Sequence, residues 1–316
     1  MNGPAAAGVR VAWQALPAAV RAAVEEICGA PVTEARTQPG GFSPGVAARL
    51  RCADGSRYFV KAVSAEANPD SPRFHRREGQ NLAALDPVIV ASSLPVPRLR
   101  GMAELGPWVA LVLDDVDGRP PRLPWSDGDL RQVLAALDRL AEALTPAPIP
   151  VRPITERYAA AFSGWRKLAR SPASDRLDRW SRAHLGELAA LEPAWAAHAA
   201  GDTLLHSDIR ADNLLRTAGG VAVVDWPHAC RGAAFAELVL FAPSVAMQGG
   251  PGLAELLGMS RAGQRAGRPG VGAILCALAG YFTYQALQPP PPGLPTVRAL
   301  QAAQGDIARR WLAGYL

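Results

Sequence analysis

The chain has 316 residues, of which 49% are hydrophobic and 19% charged, and this composition excludes an intrinsically disordered protein. At roughly 150 residues per domain, the length indicates about two domains. The four cysteines are far apart and form no C-x-x-C pair, which argues against a zinc module or a disulfide framework and favours a reducing compartment. The net charge of +5 comes from basic residues spread along the whole chain, so we expect a solvated arginine-rich surface and no nucleic-acid partner.

We expect a cytoplasmic protein without a membrane partner. The first residues, MNGPAAAGVRVAWQALPAAV, have neither the early basic cluster nor the unbroken apolar core of a signal peptide. The longest uncharged helical run, Val271–Leu287, is shorter than a bilayer span.

Residues 1–115 are predicted to be rich in strands. An amphipathic helix over Leu16–Cys28 comes first. Alternating or β-branched patterns predict strands over residues 33–38, 45–52, 57–63, 96–102 and 108–114. Between the third and fourth strands, FHRREGQNLAAL predicts one helix, with Ser71 as its N-cap and Pro72 at its first position.

Residues 116–316 are predicted to be mainly helical. Apolar spacing near 3.6 residues predicts helices over residues 127–144, 154–169, 175–200, 233–245, 271–287 and 296–315. Two short β-like stretches interrupt them, and they carry Asp208 and Asp225. We therefore expect an α+β chain in which a strand-rich part precedes a larger helical part.

Only two of the 33 basic residues are lysine, Lys61 and Lys167, so arginine is the default cation of this chain. Lys61 lies in the strand pattern RYFVKAV, which places its side chain on one face of a sheet. A strand lysine kept against this bias predicts a function that needs a compact ammonium rather than a planar guanidinium. Lys167 lies on a polar helix face, and we interpret it as incidental.

The sequence GFSPG fits the G-x-S-x-G nucleophile elbow of serine hydrolases, but its chemistry excludes that interpretation. The residue after Ser43 is Pro44, which has no N–H group for an oxyanion hole, and a strand pattern follows where a helix is required. Gly40, Gly41 and Gly45, together with Ser43, instead favour a loop whose backbone approaches a phosphate chain. A plain glycine hairpin remains the alternative.

The strongest constellation is HSDIRADN, followed by the aspartate of VAVVDW. Its spacing fits the H-x-D-x-x-x-x-N loop and the metal-binding aspartate of a phosphotransferase. Asp208 would accept or orient a hydroxyl proton, while Asn213 and Asp225 would hold Mg²⁺ against phosphates. We expect His206 to be a packed support rather than a catalyst. A hydrolytic metal site built from His206, Asp208 and Asp225 is the alternative, but it leaves the strand lysine and the glycine loop unexplained.

Four motifs follow one another along the chain: VKAV with Lys61, FHRREGQNL with Glu78, HSDIRADNLL and VAVVDW. In this order they resemble the aminoglycoside phosphotransferase and choline kinase group, which has a protein-kinase-like fold. The resemblance covers nearly the whole chain. It implies a small β-rich N-lobe with one regulatory-type helix, residues 1–115, and a larger helical C-lobe, residues 116–316, that binds the acceptor.

The resemblance also implies ATP as the phosphate donor and Mg²⁺ as the metal ion. Lys61 would hold the α- and β-phosphates and pair with Glu78. Asp208 would be the catalytic base or positioner, and Asn213 and Asp225 would bind Mg²⁺. His206 and Arg210 would support this loop. The hinge between the lobes, which offers backbone groups to adenine, would be formed by Val112, Leu113, Asp114 and the residues up to Val116.

Two of these motifs depart from the group's pattern. Members often read H-G-D with a second histidine two places later, where this chain has Ser207 and Arg210. Many carry a second acid soon after the metal-binding aspartate, where this chain has Trp226-Pro227-His228. We therefore expect a second metal ion to be held less firmly.

Charge predicts the class of acceptor. Residues 227–316 contain three acidic residues and seven arginines, whereas a polycationic aminoglycoside would require a carboxylate-lined cleft. We expect a hydroxylated small molecule that is less cationic than an aminoglycoside. A true aminoglycoside O-phosphotransferase and a non-catalytic nucleotide-binding protein stay open as alternatives. A protein-directed kinase is disfavoured because no D-F-G or A-P-E motif frames an activation segment.

Overall fold

The computed structural model describes residues 8–42 and 44–315. Ser43, one of the predicted nucleotide-binding residues, lies outside them. The chain folds into a strand-rich N-lobe and a larger, mainly helical C-lobe, which confirms the predicted α+β fold.

The N-lobe contains a five-stranded antiparallel sheet with the strand order β1-β2-β3-β5-β4. The strands are β1 (Val32–Thr37), β2 (Val46–Cys52), β3 (Arg57–Ser64), β4 (Leu99–Leu105) and β5 (Trp108–Asp114), and the helices are α1 (Ala18–Cys28) and α2 (Ser71–Ala91). β5 is buried on both faces: Ala110 and Val112 pack with α1, whereas Leu111 and Leu113 pack with α2. The near-continuous apolar sequence of β5 follows from this position.

Lys61 lies in the middle of β3, opposite Ala47 of β2 and Leu111 of β5. Alternate residues of a strand face opposite sides of the sheet. Val60 and Ala62 enter the core beneath α1, so Lys61 emerges on the other face, towards α2 and the C-lobe. The strand and the facing of its lysine are as the sequence predicts.

The start of α2 differs from the prediction. Ser71 is the first residue of the helix rather than its cap, and the preceding Asp70 makes no side-chain capping bond. Asn68 supplies the cap instead, since its Oδ1 accepts hydrogen bonds from the N–H groups of Asp70 (3.0 Å) and Ser71 (3.1 Å). An asparagine three residues before the helix thus binds N–H groups that the first turn leaves without intrahelical partners.

The C-lobe is built around long helices. Its helices are α3 (Asp127–Ala143), α4 (Ile154–Arg157), α5 (Gly164–Leu168), α6 (Arg179–Ala183), α7 (Leu185–Leu191), α8 (Trp195–Ala199), α9 (Ala234–Met247), α10 (Leu253–Gly258), α11 (Arg261–Gln264), α12 (Arg268–Ala286) and α13 (Val297–Leu312). The hydrophobic core of this lobe continues into α2 and β5 of the N-lobe, through Leu82 and Leu113 among others. The two lobes are therefore packed against each other.

Two helices predicted as continuous are broken in the structure. The predicted helix over residues 154–169 is α4 and α5 separated by a turn, and that over residues 175–200 is a series of short helices. A Cβ at Gly164 would lie 2.0 Å from the carbonyl oxygen of Gly280, so α5 packs backbone to backbone against α12. The buried carboxylate of Glu192 accepts hydrogen bonds from two backbone N–H groups of α5. These tertiary contacts override the helical periodicity.

Two small antiparallel ribbons carry the HSDIRADN and VVDW motifs. β6 (Thr203–Leu205) pairs with β9 (Cys230–Gly232), and β7 (Leu214–Thr217) pairs with β8 (Gly220–Val223). The loop from β6 to β7 carries residues 206–213, and Asp225 follows β8. β7 and β9 were not predicted, because each contains an arginine that interrupts the apolar pattern seen in β6 and β8.

All four cysteines are buried and free. Within residues 8–42 and 44–315, none of the helices is both long enough and apolar enough to cross a membrane. The apolar run at Val271–Leu287 belongs to α12, which packs against α5, α8 and α13 inside the C-lobe.

Candidate active site

Lys61 lies between two carboxylates at the junction of the lobes. Its Nζ is 2.7 Å from Oε1 of Glu78 on α2 and 2.6 Å from Oδ1 of Asp225. Burial lowers the pKa of Lys61, but the attraction of Asp225 and Glu78 outweighs burial and raises it overall. Lys61 is therefore a fixed ammonium that connects the N-lobe helix to the aspartate after β8.

The two carboxylates respond to Lys61 differently. Glu78 is only 1% exposed, and burial raises its pKa although Lys61 opposes the shift. Burial would also raise the pKa of Asp225, but the neighbouring Lys61 lowers it well below its usual range. Asp225 thus stays ionised, as a group that binds a cation must.

Asp208 is held by its neighbours in the same loop. Nη1 of Arg210 lies 2.6 Å from both carboxylate oxygens of Asp208, and the same guanidinium pairs with Asp212. Nδ2 of Asn213 donates to the backbone carbonyl of Asp208 at 2.8 Å. Arg210, which stands where the related group has histidine, therefore orients the carboxylate that is the candidate base.

His206 occupies a supporting position. Its Nε2 lies 2.9 Å from the carbonyl oxygen of Val224, and its Nδ1 is 3.2 Å from the N–H of Asp208. This pattern fits the neutral tautomer with the proton on Nε2, and burial lowers the pKa of His206 in agreement with a neutral ring. The ring packs edge-on against Trp226. His206 thus connects the Asp208 loop to the strand before Asp225.

Glu237 is a structural residue that the sequence interpretation missed. It is the only charged residue in α9, and its carboxylate accepts hydrogen bonds from the N–H groups of His206 (2.6 Å) and Ser207 (2.8 Å). Burial raises its pKa to about 7. A lone acid in an otherwise apolar helix is the sequence signal that could have identified it, because a buried carboxylate needs such partners.

Ser207 adopts a backbone conformation that favours glycine. Its φ is +61°, and Asp225 is also left-handed with a φ of +72°. The hydroxyl of Ser207 donates to the carbonyl of His228 at 2.7 Å, and the Tyr158 hydroxyl donates to the carbonyl of Ser207 at 3.1 Å. The glycine that related sequences often have here would adopt this φ without strain, whereas the serine is strained but gains the hydrogen bond from its hydroxyl to His228.

A cavity of about 200 Å³ lies between the sheet and the Asp208 loop. Seven of the predicted site residues line it: Gly40, Gly41, Lys61, Leu113, Asp114, Asn213 and Asp225. The strand lysine, the glycine loop, the hinge and the two candidate metal ligands therefore share one cleft.

Three predicted nucleotide-binding residues lie outside this lining. Gly45 packs against β3, where a Cβ would be 2.3 Å from the carbonyl oxygen of Ala62. Val112 is buried in the core beneath α1, and Glu78 lies behind Lys61. Beyond β5 the cavity is lined by Asp115 and Val116, which lie within the predicted hinge.

Arg49 holds this linking segment in place. Its Nη2 donates to the backbone carbonyls of Val116 (2.8 Å) and Gly118 (3.0 Å), and its Nε is 3.2 Å from Asp115. Arg57 pairs with the same buried carboxylate at 2.6 Å. The connection between the lobes is thereby fixed to β2 and β3.

The segment before α1 contributes a cation to the cavity. Backbone hydrogen bonds join Val9 and Val11 to Gly45, each at 3.0 Å. Between them, the guanidinium of Arg10 donates to the carbonyl of Gly40 and lines the cavity. Burial lowers the pKa of Arg10, while Asp225 and Asp212 attract its charge. Sequence reasoning missed Arg10 because it belongs to no motif.

A sequence model of the phosphotransferase enzyme family matches residues 35–273, more than half of the chain. The chain belongs to this family. No curated protein sequence matches it. The matched region contains the strand lysine, the Asp208 loop and Asp225, so the predicted family resemblance is confirmed.

Solved structures show the same fold at low sequence identity. An aminoglycoside phosphotransferase from Alicyclobacillus acidocaldarius is 16% identical, with a TM-score of 0.56, covering 90% of this chain and 91% of that one. A choline kinase from Streptococcus pneumoniae is 12% identical, with a TM-score of 0.60 and coverage of 94% and 98%. An amicoumacin kinase in complex with AMP-PNP, Ca²⁺ and its ligand is 12% identical, with a TM-score of 0.55 and coverage of 84% and 85%. The chain thus belongs to a family of phosphotransferase enzymes and has the protein-kinase-like fold of these structures.

Proposed function

We propose that this kinase transfers the γ-phosphate of ATP to a hydroxyl of a small molecule that is less cationic than an aminoglycoside. The observation that carries the proposal is the bridge from Glu78 through Lys61 to Asp225, at distances of 2.7 and 2.6 Å, beside a cavity lined by glycines. A fixed ammonium next to exposed backbone suits a polyphosphate chain.

The donor atoms near Asp225 fit Mg²⁺. Asn213 commits its Nδ2 to the backbone of Asp208, which leaves the amide oxygen as the ligand it can offer. Asp225 adds an ionised carboxylate that lines the same cavity. Hard oxygen donors beside a phosphate site are the ligands that Mg²⁺ prefers. Bound there, Mg²⁺ would neutralise charge on the phosphates.

Lys61 and Asp208 would bind the phosphates and the acceptor hydroxyl, respectively. Lys61 would hold the α- and β-phosphates, while Asp208 would accept a hydrogen bond from the acceptor hydroxyl and orient it towards the γ-phosphorus. As the bond between the γ-phosphorus and the bridging oxygen breaks, the acceptor oxygen binds phosphorus and its proton passes to Asp208. Phosphoryl transfer needs positioning more than a strong base, so the Arg210 contact is compatible with this role.

The acidic residues of the C-lobe support the acceptor class. Glu237 is used inside the protein to hold the Asp208 loop. Asp178 caps α6 and lies 3.3 Å from Arg309, which also pairs with Asp306. Glu187 is exposed on α7. These carboxylates are thus occupied or point to solvent, and they do not form the acidic cleft that a polycation would need.

The proposal is tested by ADP formation with Mg²⁺-ATP and a panel of neutral polyols, hydroxy acids and kanamycin. We expect turnover with an acceptor from the first two groups, and its loss by about 10²-fold or more in Asp208→Asn. Asp175→Asn, a carboxylate-to-amide change at an exposed site, is the matched control and should retain activity. Saturable phosphorylation of kanamycin alone would overturn the acceptor class, and full activity in Asp208→Asn would overturn the assigned site.

A further inference from the structure

Residues 8–11, which we call the strap, run beside the glycine loop. The first N–H group of the strap donates to the carbonyl of Gly41 at 2.8 Å, and Arg10 forms a parallel β-bridge with Gly45. These backbone contacts fix the strap beside the glycines. Alternate residues of an extended segment point to opposite sides, and Val9 is 57% exposed, so the side chain of Arg10 turns towards the cavity.

The guanidinium of Arg10 lies directly against the two glycines that precede Phe42. It donates to the carbonyl of Gly40, and a Cβ at Gly41 would lie 2.8 Å from its Nη2. Both glycines are left-handed, with φ of +86° and +76°. A side chain at position 41 would therefore displace the guanidinium, whereas glycine leaves room for it at the wall of the cavity.

The contacts of Phe42 place this part of the glycine loop beside the Asp208 loop. The ring of Phe42 lies 5.3 Å from the guanidinium carbon of Arg210, which in turn pairs with Asp208 and Asp212. The same ring packs against an apolar cluster formed by α9 and α13 of the C-lobe. The glycine loop thus rests on the C-lobe next to the candidate base, and Arg10 lies at this end of the cavity.

Along β3, the glycine loop and the hinge lie on opposite sides of Lys61. Gly45 packs against Ala62, the residue after Lys61. Leu113 of the hinge pairs with Phe59, two residues before Lys61. A nucleotide with its adenine at the hinge and its α- and β-phosphates at Lys61 would therefore extend its γ-phosphate towards the glycine loop.

Arg10 supplies a second cation at this end of the cavity. Burial lowers the pKa of Arg10, and the charges of Asp225 and Asp212 oppose that shift. Both aspartates line the cavity together with Arg10. Lys61 already binds two carboxylates and is assigned to the α- and β-phosphates. A second cation would therefore neutralise the charge of a terminal phosphate.

We propose that Arg10 binds the γ-phosphate of the nucleotide, so that the strap forms one wall of the phosphate site. This inference rests on the proposed function, because it assigns a further residue to the phosphate donor of the kinase. A planar guanidinium matches two phosphate oxygens with paired hydrogen bonds. The residues before α1 would thereby belong to the active site, although no sequence motif includes them.

The affinities of two nucleotides test this assignment without knowledge of the acceptor. The dissociation constants of AMP-PNP and ADP are measured on the full chain by calorimetric titration at saturating Mg²⁺. ADP has the α- and β-phosphates but lacks the γ-phosphate. We expect Arg10→Gln to weaken AMP-PNP binding roughly fivefold, and ADP binding by less than about twofold.

The ratio of the two dissociation constants separates phosphate binding from a structural role. Arg10 also donates to Gly40, and a residue that only held the glycine loop in place would affect AMP-PNP and ADP equally. Arg10→Lys keeps the charge but loses the fork, and for AMP-PNP it should fall between wild type and Arg10→Gln. Arg36→Gln removes the same charge from an exposed position on β1 and should bind both nucleotides as wild type does. If Arg10→Gln does not fold, the ratio in Arg10→Lys still tests the proposal.

Two results would overturn the inference: an equal loss of affinity for AMP-PNP and ADP in Arg10→Gln, or no loss for either. Failure of the proposed function gives a different result. Binding of AMP-PNP that depends on Arg10, without phosphorylation of any acceptor in the panel above, would contradict the proposed function and leave the Arg10 site in place. Phosphorylation of an acceptor with unchanged AMP-PNP binding in Arg10→Gln would do the reverse, and no binding of either nucleotide to wild type would overturn both.

Discussion

The left-handed backbone at Ser207 makes a prediction about stability that separates strain from hydrogen bonding. Ser207→Gly removes both the strain of a side chain at φ +61° and the 2.7 Å hydrogen bond to the carbonyl of His228. Ser207→Ala removes the same hydrogen bond but keeps the strain. The two variants therefore differ only in the conformational free energy of the backbone at this position, which includes strain in the folded state and chain entropy in the unfolded state.

The magnitudes follow from these contacts. A side chain in the left-handed region costs about 1–2 kcal/mol, and glycine gives back about 0.4–1 kcal/mol through its freer unfolded state. The lost hydrogen bond costs both variants about 1 kcal/mol. We expect Ser207→Gly to be close to wild type in free energy of unfolding, and Ser207→Ala to be about 1 kcal/mol less stable than Ser207→Gly.

Thermal unfolding of the three proteins measures this difference. For a chain of this size, about 1 kcal/mol corresponds to roughly 2 °C in Tm. Denaturant titration at a fixed temperature provides a second measurement, and equal m-values would show that the transitions are comparable. If Ser207→Ala is at least as stable as Ser207→Gly, the backbone is not strained at this position. Strain then does not explain why related sequences have glycine here.

Three further predictions concern charged groups. Lys61→Met should lower the free energy of unfolding by about 3 kcal/mol at pH 8, because it leaves the buried carboxylate of Glu78 without its ammonium partner. Burial raises the pKa of Glu78, so this loss should shrink as the pH falls and the carboxylate takes up a proton; Lys167→Met is the control, and a deficit independent of pH would contradict the account. Burial raises the pKa of Glu237 to about 7, above its value in the unfolded chain, so the protonated group stabilises the folded state fully below about pH 4.5 and this stabilisation is lost as the pH rises through 7. In wild type, the free energy of unfolding should therefore fall by up to about 3 kcal/mol between pH 5 and 8, and in Glu237→Gln it should change little. Arg10→Gln should raise the KM for ATP roughly fivefold with a smaller change in kcat, whereas exposed Arg36→Gln should change neither.

The candidate site could be located in the sequence because its residues are dense in two motifs. In HSDIRADN the residues assigned to the site are neighbours in sequence, and a single loop between β6 and β7 keeps them neighbours in space. Lys61 was identified by its strand pattern and by the rarity of lysine. Its pairing with Glu78 came from the family resemblance, and the structure places their charged atoms 2.7 Å apart.

The supporting residues could not be predicted because they act over long sequence separations. Glu237 reaches back to the Asp208 loop from 30 residues away, and Arg49 bonds a carbonyl 67 residues further along the chain. Arg10 enters the cavity from a segment with no helical or strand pattern. The breaks between α4 and α5 have the same origin, since Gly164 meets Gly280 only after the C-lobe has formed.

The charge of the acceptor site illustrates the same limit of linear sequence. Counting three acids and seven arginines over residues 227–316 predicted an acceptor less cationic than an aminoglycoside, but the count could not show which of these side chains lie near the Asp208 loop. Only the fold places Arg157 against His228, whose carbonyl accepts from Ser207 of the Asp208 loop.

The central claim, a metal-dependent nucleotide site at Lys61 and Asp225, is tested most directly by the thermal shift of wild type and Asp225→Asn with Mg²⁺ and AMP-PNP. At a ligand concentration about one hundred times the dissociation constant, the stabilisation should be about 2.7 kcal/mol, a rise of several degrees. We predict a rise in wild type that requires Mg²⁺ and shrinks in Asp225→Asn. No rise in either protein, or an equal rise in both without metal, would contradict the account.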